Sequence, residues 1–324
     1  MNKTNLITQQ VEEYVAFKQA LGFKILVDSA ELRRFAHFTM NQNHQGPLTT
    51  DLILNWVSMK PHYSRYYKAR RLETVRIFAK YLVAKGQPAE VPPAGIFGQC
   101  HGKTTPYIYT DDEIVKLIAK AKLLMPANGL RANTMATLIG LLWSTGLRIS
   151  EACRLEKADL NYHKRTLHIK ATKFNKERII PIHESVIAAL KEYAVFRDGC
   201  YPNSITPAFF LSTGGKQLKL RNAEYAFTLV RSCLLPPGKL KWDRRPPRLY
   251  DLRHSFACHT IIRWSKEGAD VNQRLLLLST YLGHVKPSDT YWYLTGTSEL
   301  LSLSVKRFEE LSINCSPGGC HEKR

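Results

Sequence analysis

The sequence predicts a predominantly α-helical protein with one small antiparallel β-sheet, built as a helical N-terminal domain followed by an α+β C-terminal domain. Three observations carry this. Apolar residues recur at helical spacing through residues 1–85. A stretch from Gly86 to Thr105, including Gly-Gln-Pro-Ala-Glu-Val-Pro-Pro-Ala-Gly, then has no apolar periodicity and reads as a linker. Beyond it, Thr166–Lys170 and Arg178–Ile182 alternate as a strand pair within otherwise helical sequence. The expected boundaries are 1–86 for the helical domain, 87–105 for the linker, 106–312 for the second domain and 313–324 for a flexible tail.

In the first domain, Val11, Tyr14, Val15, Lys18 and Leu21 follow a helical spacing that stops at Gly22. A second helix runs through Leu32, Phe35 and Phe38. A third begins after Thr49 or Thr50, with Asp51 in its first turn and Leu52, Ile53, Trp56 and Val57 as its apolar face. The fourth, Ser64 to Lys85, places Leu72, Val75, Phe78, Ala79 and Leu82 at core spacing. Around and along it lie Lys60, Arg65, Lys68, Arg70, Arg71, Arg76, Lys80 and Lys85, with Glu73 the only acid among them and Tyr63, Tyr66 and Tyr67 interleaved. A face of one charge sign suits phosphate neutralisation, so Arg65, Lys68, Arg70, Arg71 and Arg76 are expected DNA contacts.

Composition agrees. In 324 residues, 47 Lys and Arg against 27 Asp and Glu leave a net charge of +20, which works against a compact fold unless a polyanion is bound. Nucleic acid is the commonest such partner. No run approaches the roughly 20 apolar residues of a membrane span, and Met-Asn-Lys-Thr-Asn-Leu has no signal-peptide core, so a cytoplasmic, nucleoid-associated protein is expected. The cysteines (Cys100, Cys153, Cys200, Cys233, Cys258, Cys315, Cys320) are odd in number and scattered, as reduced thiols are. Cys315, Cys320 and His321 lack a second ligand cluster, so no metal site is expected.

The second domain opens at Thr110, a cap before the acidic turn Asp111-Asp-Glu. Four stretches then matter together. In Trp143-Ser-Thr-Gly-Leu-Arg148-Ile-Ser-Glu151, Gly146 breaks an apolar helix, so Arg148 falls near a new helix start with Glu151 placed to orient it. The connection between the two strands carries Lys173 and Lys176. Arg244-Arg-Pro-Pro-Arg248-Leu-Tyr250-Asp-Leu-Arg253-His-Ser-Phe256 follows, with Arg244, Arg245 and Arg248 as expected phosphate contacts alongside Lys176. Last comes Tyr281-Leu-Gly-His284-Val-Lys-Pro-Ser-Asp-Thr-Tyr291-Trp-Tyr293, where Pro287 and Ser288 start a helix that reaches Tyr293.

Arg148, Lys173, Tyr250-x-x-Arg253, Leu-Gly-His284 and Tyr293, in this order and spacing, resemble the signature of the tyrosine recombinases, the phage integrase family. The resemblance spans roughly 106–312, and the N-terminal helices resemble the family's core-binding domain. The wording Asp-Thr-Tyr-Trp-Tyr-Leu further resembles recombinases of bacterial transposons and integrative elements.

The resemblance implies a site-specific recombinase acting on double-stranded DNA. Arg148 and Arg253 would clamp the non-bridging phosphate oxygens, His284 would add a third donor, and Tyr293 would attack phosphorus to give a 3′-phosphotyrosyl bond, with Lys173 as general acid for the 5′-oxygen. Neither ATP, a metal nor another cofactor is needed, because one phosphoester replaces another. The resemblance also implies a homotetramer on DNA, open to co-encoded recombinase partners, with a helix at Glu299–Leu311 available for docking on a neighbour. Tyr250 departs from the His or Lys usual at its position, and a phenol is a poor base at neutral pH, so the base stays open; His254 is expected to turn toward Glu151 or the backbone. Tyr291 competes with Tyr293 as nucleophile and Lys176 with Lys173 as acid, with the family register favouring Tyr293 and Lys173. A type IB topoisomerase and a non-catalytic DNA-binding accessory protein are the alternatives.

Overall fold

The computed structural model describes residues 5–99, 105–126, 129–170, 177–236, 239, 242, 245–284, 286, 288–291 and 293. Its contacts divide the chain into two compact units, Met1–Thr104 and Thr105–Arg324.

The first unit contains helices α1 (Leu6–Ala20), α2 (Leu26–Asn41), α3 (Thr50–Ser58) and α4 (Arg65–Ala84). Short polar side chains start three of them. Asn5, Thr49 and Ser64 each accept a backbone N–H of the first turn they cap. The inward stripes meet in one core of Ile7, Val11, Leu32, Phe35, Ile53, Trp56, Val75 and Phe78, with Phe35 edge-on to Trp56 at 5.1 Å.

Arg71 belongs to that core, which corrects its expected role as a phosphate contact. It is 3% exposed, its guanidinium lies 3.6 Å above the Trp56 ring, and its Nε is 3.0 Å from Glu31. A cation so stacked and paired has no face left for a phosphate. Arg76 is also largely engaged, donating to the Pro92 carbonyl at 2.9 Å. Arg65 donates to the Phe97 carbonyl at 3.0 Å but stays exposed, as does Arg70, while Lys68 is half-buried.

The second unit is organised around α6 (Leu130–Thr145), which is buried on nearly all sides. It packs against α5 (Asp111–Lys122), α8 (Glu184–Cys200), α9 (Leu220–Val230) and α10 (Asp251–Lys266). Thr110 and Glu113 form a reciprocal cap at the start of α5. The one-turn α7 (Ile149–Ala152) follows α6. The sheet has order β1-β2-β3: β1 (Leu160–Asn161), β2 (Thr166–Ile169) and β3 (Arg178–Pro181), all antiparallel, with Leu167 opposite Ile180 and Ile169 opposite Arg178. The hairpin is where alternation put it, and β1 is an addition to it. Helices α11 (Val271–Leu282) and α12 (Ser288–Tyr291) close the described chain. Among the described residues no helix is long and apolar enough to cross a membrane.

Candidate active site

Gly146 ends α6 in the left-handed region, φ 61°, where a Cβ would stand 2.4 Å from the Phe256 ring. The turn it permits delivers Arg148 to the N-cap of α7. Glu151 folds back on that cap, accepting from the Arg148 backbone N–H at 3.1 Å and from its Nη1 at 2.8 Å. Arg148 Nη2 donates to the Gly283 carbonyl at 3.2 Å. The arginine side chain is 23% exposed and the glutamate 1%, so the guanidinium is gripped from within and open outward.

Arg253, on α10, is buried at 1% exposure. Its Nη1 donates to the Gly146 carbonyl at 2.9 Å and its Nη2 to the Leu282 carbonyl at 2.7 Å, at the C-terminal ends of α6 and α11. Carbonyls there have no intrahelical partner and carry the negative end of the helix dipole, which suits a buried cation. Burial, then Arg148 nearby, lowers its pKa from the ordinary guanidinium value.

The Leu-Gly-His turn ends α11 with Gly283 at φ 67°. His284 Nδ1 is 2.8 Å from the hydroxyl of Thr290, and its ring stacks on Tyr293 at 5.9 Å between centroids. Burial first, then Arg253 and Arg148, push its pKa down to about 4, so the imidazole is neutral at pH 7 in the free protein. Tyr293 is 2% exposed and packs with Ala257, Cys258, Ile261 and Leu278. Burial raises its pKa and the Arg253 guanidinium opposes the rise. Tyr291, by contrast, is 46% exposed.

Tyr250 caps α10 and is 40% exposed. The ring of His254, one turn on, lies against both Tyr250 (5.0 Å) and Tyr293 (5.4 Å). Burial and then Arg253 lower its pKa to about 4 as well. Sequences far apart in the chain, 146–151, 250–254, 281–284 and 290–293, thus converge on one spot.

These segments decide the family. The phage integrase family model matches residues 108–299. The chain belongs to the phage integrase family. An integrase/recombinase of Sinorhizobium fredii, y4rB, is 36% identical over 93% of this chain and 96% of its own length. Tyrosine recombinase XerD of Rickettsia bellii is 28% identical over 89% of this chain and 92% of its own. In fold, the chain matches the lambda integrase tetramer bound to a Holliday junction with a TM-score of 0.62, at 15% identity, over 90% of this chain and 78% of that one.

The cluster also holds a residue that sequence reasoning missed. Arg178, at the start of β3, donates to Glu151 through Nη1 (3.2 Å) and Nη2 (2.9 Å) and to the Tyr281 carbonyl through Nε (2.9 Å). Of the expected phosphate contacts, Arg248 is tied to Asp251 at 2.7 Å and Arg245 is exposed. Lys173, Lys176, Arg244, the 299–311 segment and the Cys315–His321 stretch lie outside the described residues. Among the described residues no cluster of three or more His, Cys, Asp or Glu could hold a metal.

Proposed function

We propose that this chain is a site-specific DNA recombinase of a mobile element whose nucleophile is Tyr293. The observation that carries the reading is the meeting of Tyr293 with Arg253 and His284, with Arg148 anchored to the same turn at Gly283. In this reading Arg148 and Arg253 hold the non-bridging oxygens of the scissile phosphate, and His284 donates from Nε2. The Tyr293 oxygen bonds to phosphorus as its phenolic proton passes to water and the P–O5′ bond breaks, and Lys173 gives the departing 5′-oxygen a proton. Tyr250 lies at the rim as a further hydrogen-bonding group. The phosphotyrosyl ester preserves the bond energy until a 5′-hydroxyl of another strand reverses the step, so the chemistry asks for neither ATP nor a cofactor.

The reading extends to the first unit as a core-binding domain, with Arg65, Lys68 and Arg70 on phosphates, and to a homotetramer on DNA in the nucleoid, working alone or with co-encoded recombinases. The recombinase names of its relatives support it over a topoisomerase or an accessory protein.

The test uses nicked duplexes drawn from the DNA flanking the gene, incubated in EDTA with the full chain and with Tyr293→Phe. A denaturant-stable adduct carrying the 3′-phosphate, absent from the variant, is expected. An adduct that survives in Tyr293→Phe overturns the assignment of the nucleophile, and no adduct from either protein overturns the catalytic reading.

A further inference from the structure

The reaction as drawn asks for two guanidiniums around the phosphate and one carboxylate to orient the first. The structure holds a third guanidinium. Glu151, 1% exposed, is shared by Arg148 and Arg178, each giving it two hydrogen bonds. Both arginines also reach carbonyls at the end of α11, Arg148 that of Gly283 and Arg178 that of Tyr281. Arg178 passes so close beneath this turn that a Cβ on residue 283 would meet its Nη1 at 2.9 Å. One side chain of β3 therefore links the start of α7 with the turn that presents His284.

The charge balance gives this link a consequence. A buried carboxylate paired with Arg148 alone would cancel the charge that a phosphate is meant to find there. With Arg178 present, two cations face one anion and a positive charge is left over. Glu151 is ionised throughout the neutral range: burial opposes its charge, but the bonds from Arg178 and then Arg148 hold its pKa at about 2.

We propose that Arg178 is a positioning residue for the phosphate clamp, taking up the charge of Glu151 so that Arg148 is held by the carboxylate yet keeps its own charge for the scissile phosphate. The inference rests on the recombinase reading above. Without Arg178, Arg148 and Glu151 collapse into a neutral pair. Overall DNA affinity changes little, because many phosphates contribute to it, and the loss falls on the cleavage step.

The experiment measures single-turnover adduct formation on the same nicked duplexes at saturating full-length protein, with Kd and Tm for each variant. Arg178→Met is expected to slow cleavage about 10- to 100-fold, as loss of an orienting partner typically does. Adding Glu151→Gln to Arg178→Met removes the uncompensated anion and is expected to recover about tenfold, within the coupling seen inside one ionic network. Arg178→Lys, which keeps charge and loses the bidentate grip, falls between. If Arg178→Met melts too early to assay, Arg178→Lys with and without Glu151→Gln gives the same comparison. A purely structural role predicts a double variant no faster than the single and less stable, and that result overturns the proposal. So does Arg178→Met cleaving at the wild-type rate. Failure of the wild type to form any adduct is a separate result that removes the recombinase reading and this inference with it.

Discussion

Alanine at Gly146 tests whether the site hangs on the close approach of α6 and α10. The left-handed conformation, φ 61°, costs a residue with a Cβ about 1–2 kcal/mol. The new methyl would also stand 2.4 Å from Cδ1 and 2.9 Å from Cγ of Phe256, whose ring is stacked on Tyr281 of α11 (5.7 Å, 20°) and cannot simply withdraw. Overpacking of that kind adds roughly 1–3 kcal/mol. The expected loss is therefore about 2–5 kcal/mol, a large part of the stability of a typical domain. Gly283→Ala provides the internal comparison. It has the same left-handed strain at φ 67°, but its Cβ stands 2.9 Å from the end of the long Arg178 side chain, where a small shift that keeps the hydrogen bonds makes room, so about 1–2 kcal/mol is expected. Urea unfolding followed by tryptophan fluorescence reports on the second unit, because every tryptophan except Trp56 belongs to it. Adduct formation should fall in both variants, since the Gly146 carbonyl holds Arg253 and the Gly283 carbonyl holds Arg148. Equal stability losses in the two variants, or a loss under about 1 kcal/mol for Gly146→Ala, would refute the steric argument.

Three further outcomes are expected. Arg71→Ala should destabilise the chain by about 1.5–3 kcal/mol in urea, through the lost ion pair and stacking on Trp56 while Glu31 keeps Arg34 and Tyr67, and leave the salt dependence of DNA binding unchanged; Arg70→Ala should do the reverse, lowering the log K against log salt slope by about 1. The two depressed histidines should make the second unit acid-sensitive. His254 and His284 are neutral when folded down to about pH 4 but take up protons near 6.5 when unfolded, so their stabilisation is complete above pH 6.5 and is lost as pH falls toward 4. For His254 this amounts to at most about 3 kcal/mol, and melting curves of His254→Phe should be flatter than wild type between pH 7 and 4.5. Thr290→Val should release His284 from a single tautomer, seen as averaged imidazole nitrogen shifts by NMR, and slow adduct formation; Thr290→Ser should retain both, and unchanged shifts in Thr290→Val would dismiss the role of the hydroxyl.

Local chemistry made much of this molecule readable in advance. Gly146 read as a helix end, the hairpin followed from a two-residue period, and the order of Arg148, Arg253, His284 and Tyr293 resembled the signature of the family that the match over residues 108–299 shows. The arginine whose role is corrected and the one passed over share one cause. Arg71 stands at helical spacing from Val75, Phe78 and Leu82, in phase with the core, yet its place in a basic run suggested a solvent face. Arg178 stands two before Ile180, in the inward phase of β3, while the apolar Ile179 between them is 68% exposed. In both cases phase pointed inward and charge pointed outward, and phase was right. A guanidinium can be buried only where a partner meets it, and those partners, Glu31 with Trp56 for one and Glu151 with the Tyr281 carbonyl for the other, come from elements distant in the chain. Periodicity alone thus says where a charge is buried, and only the fold says what it is buried against. His254 follows the same logic: its position one turn after Tyr250 is local, but the ring of Tyr293 that completes its surroundings arrives from the far end of the domain.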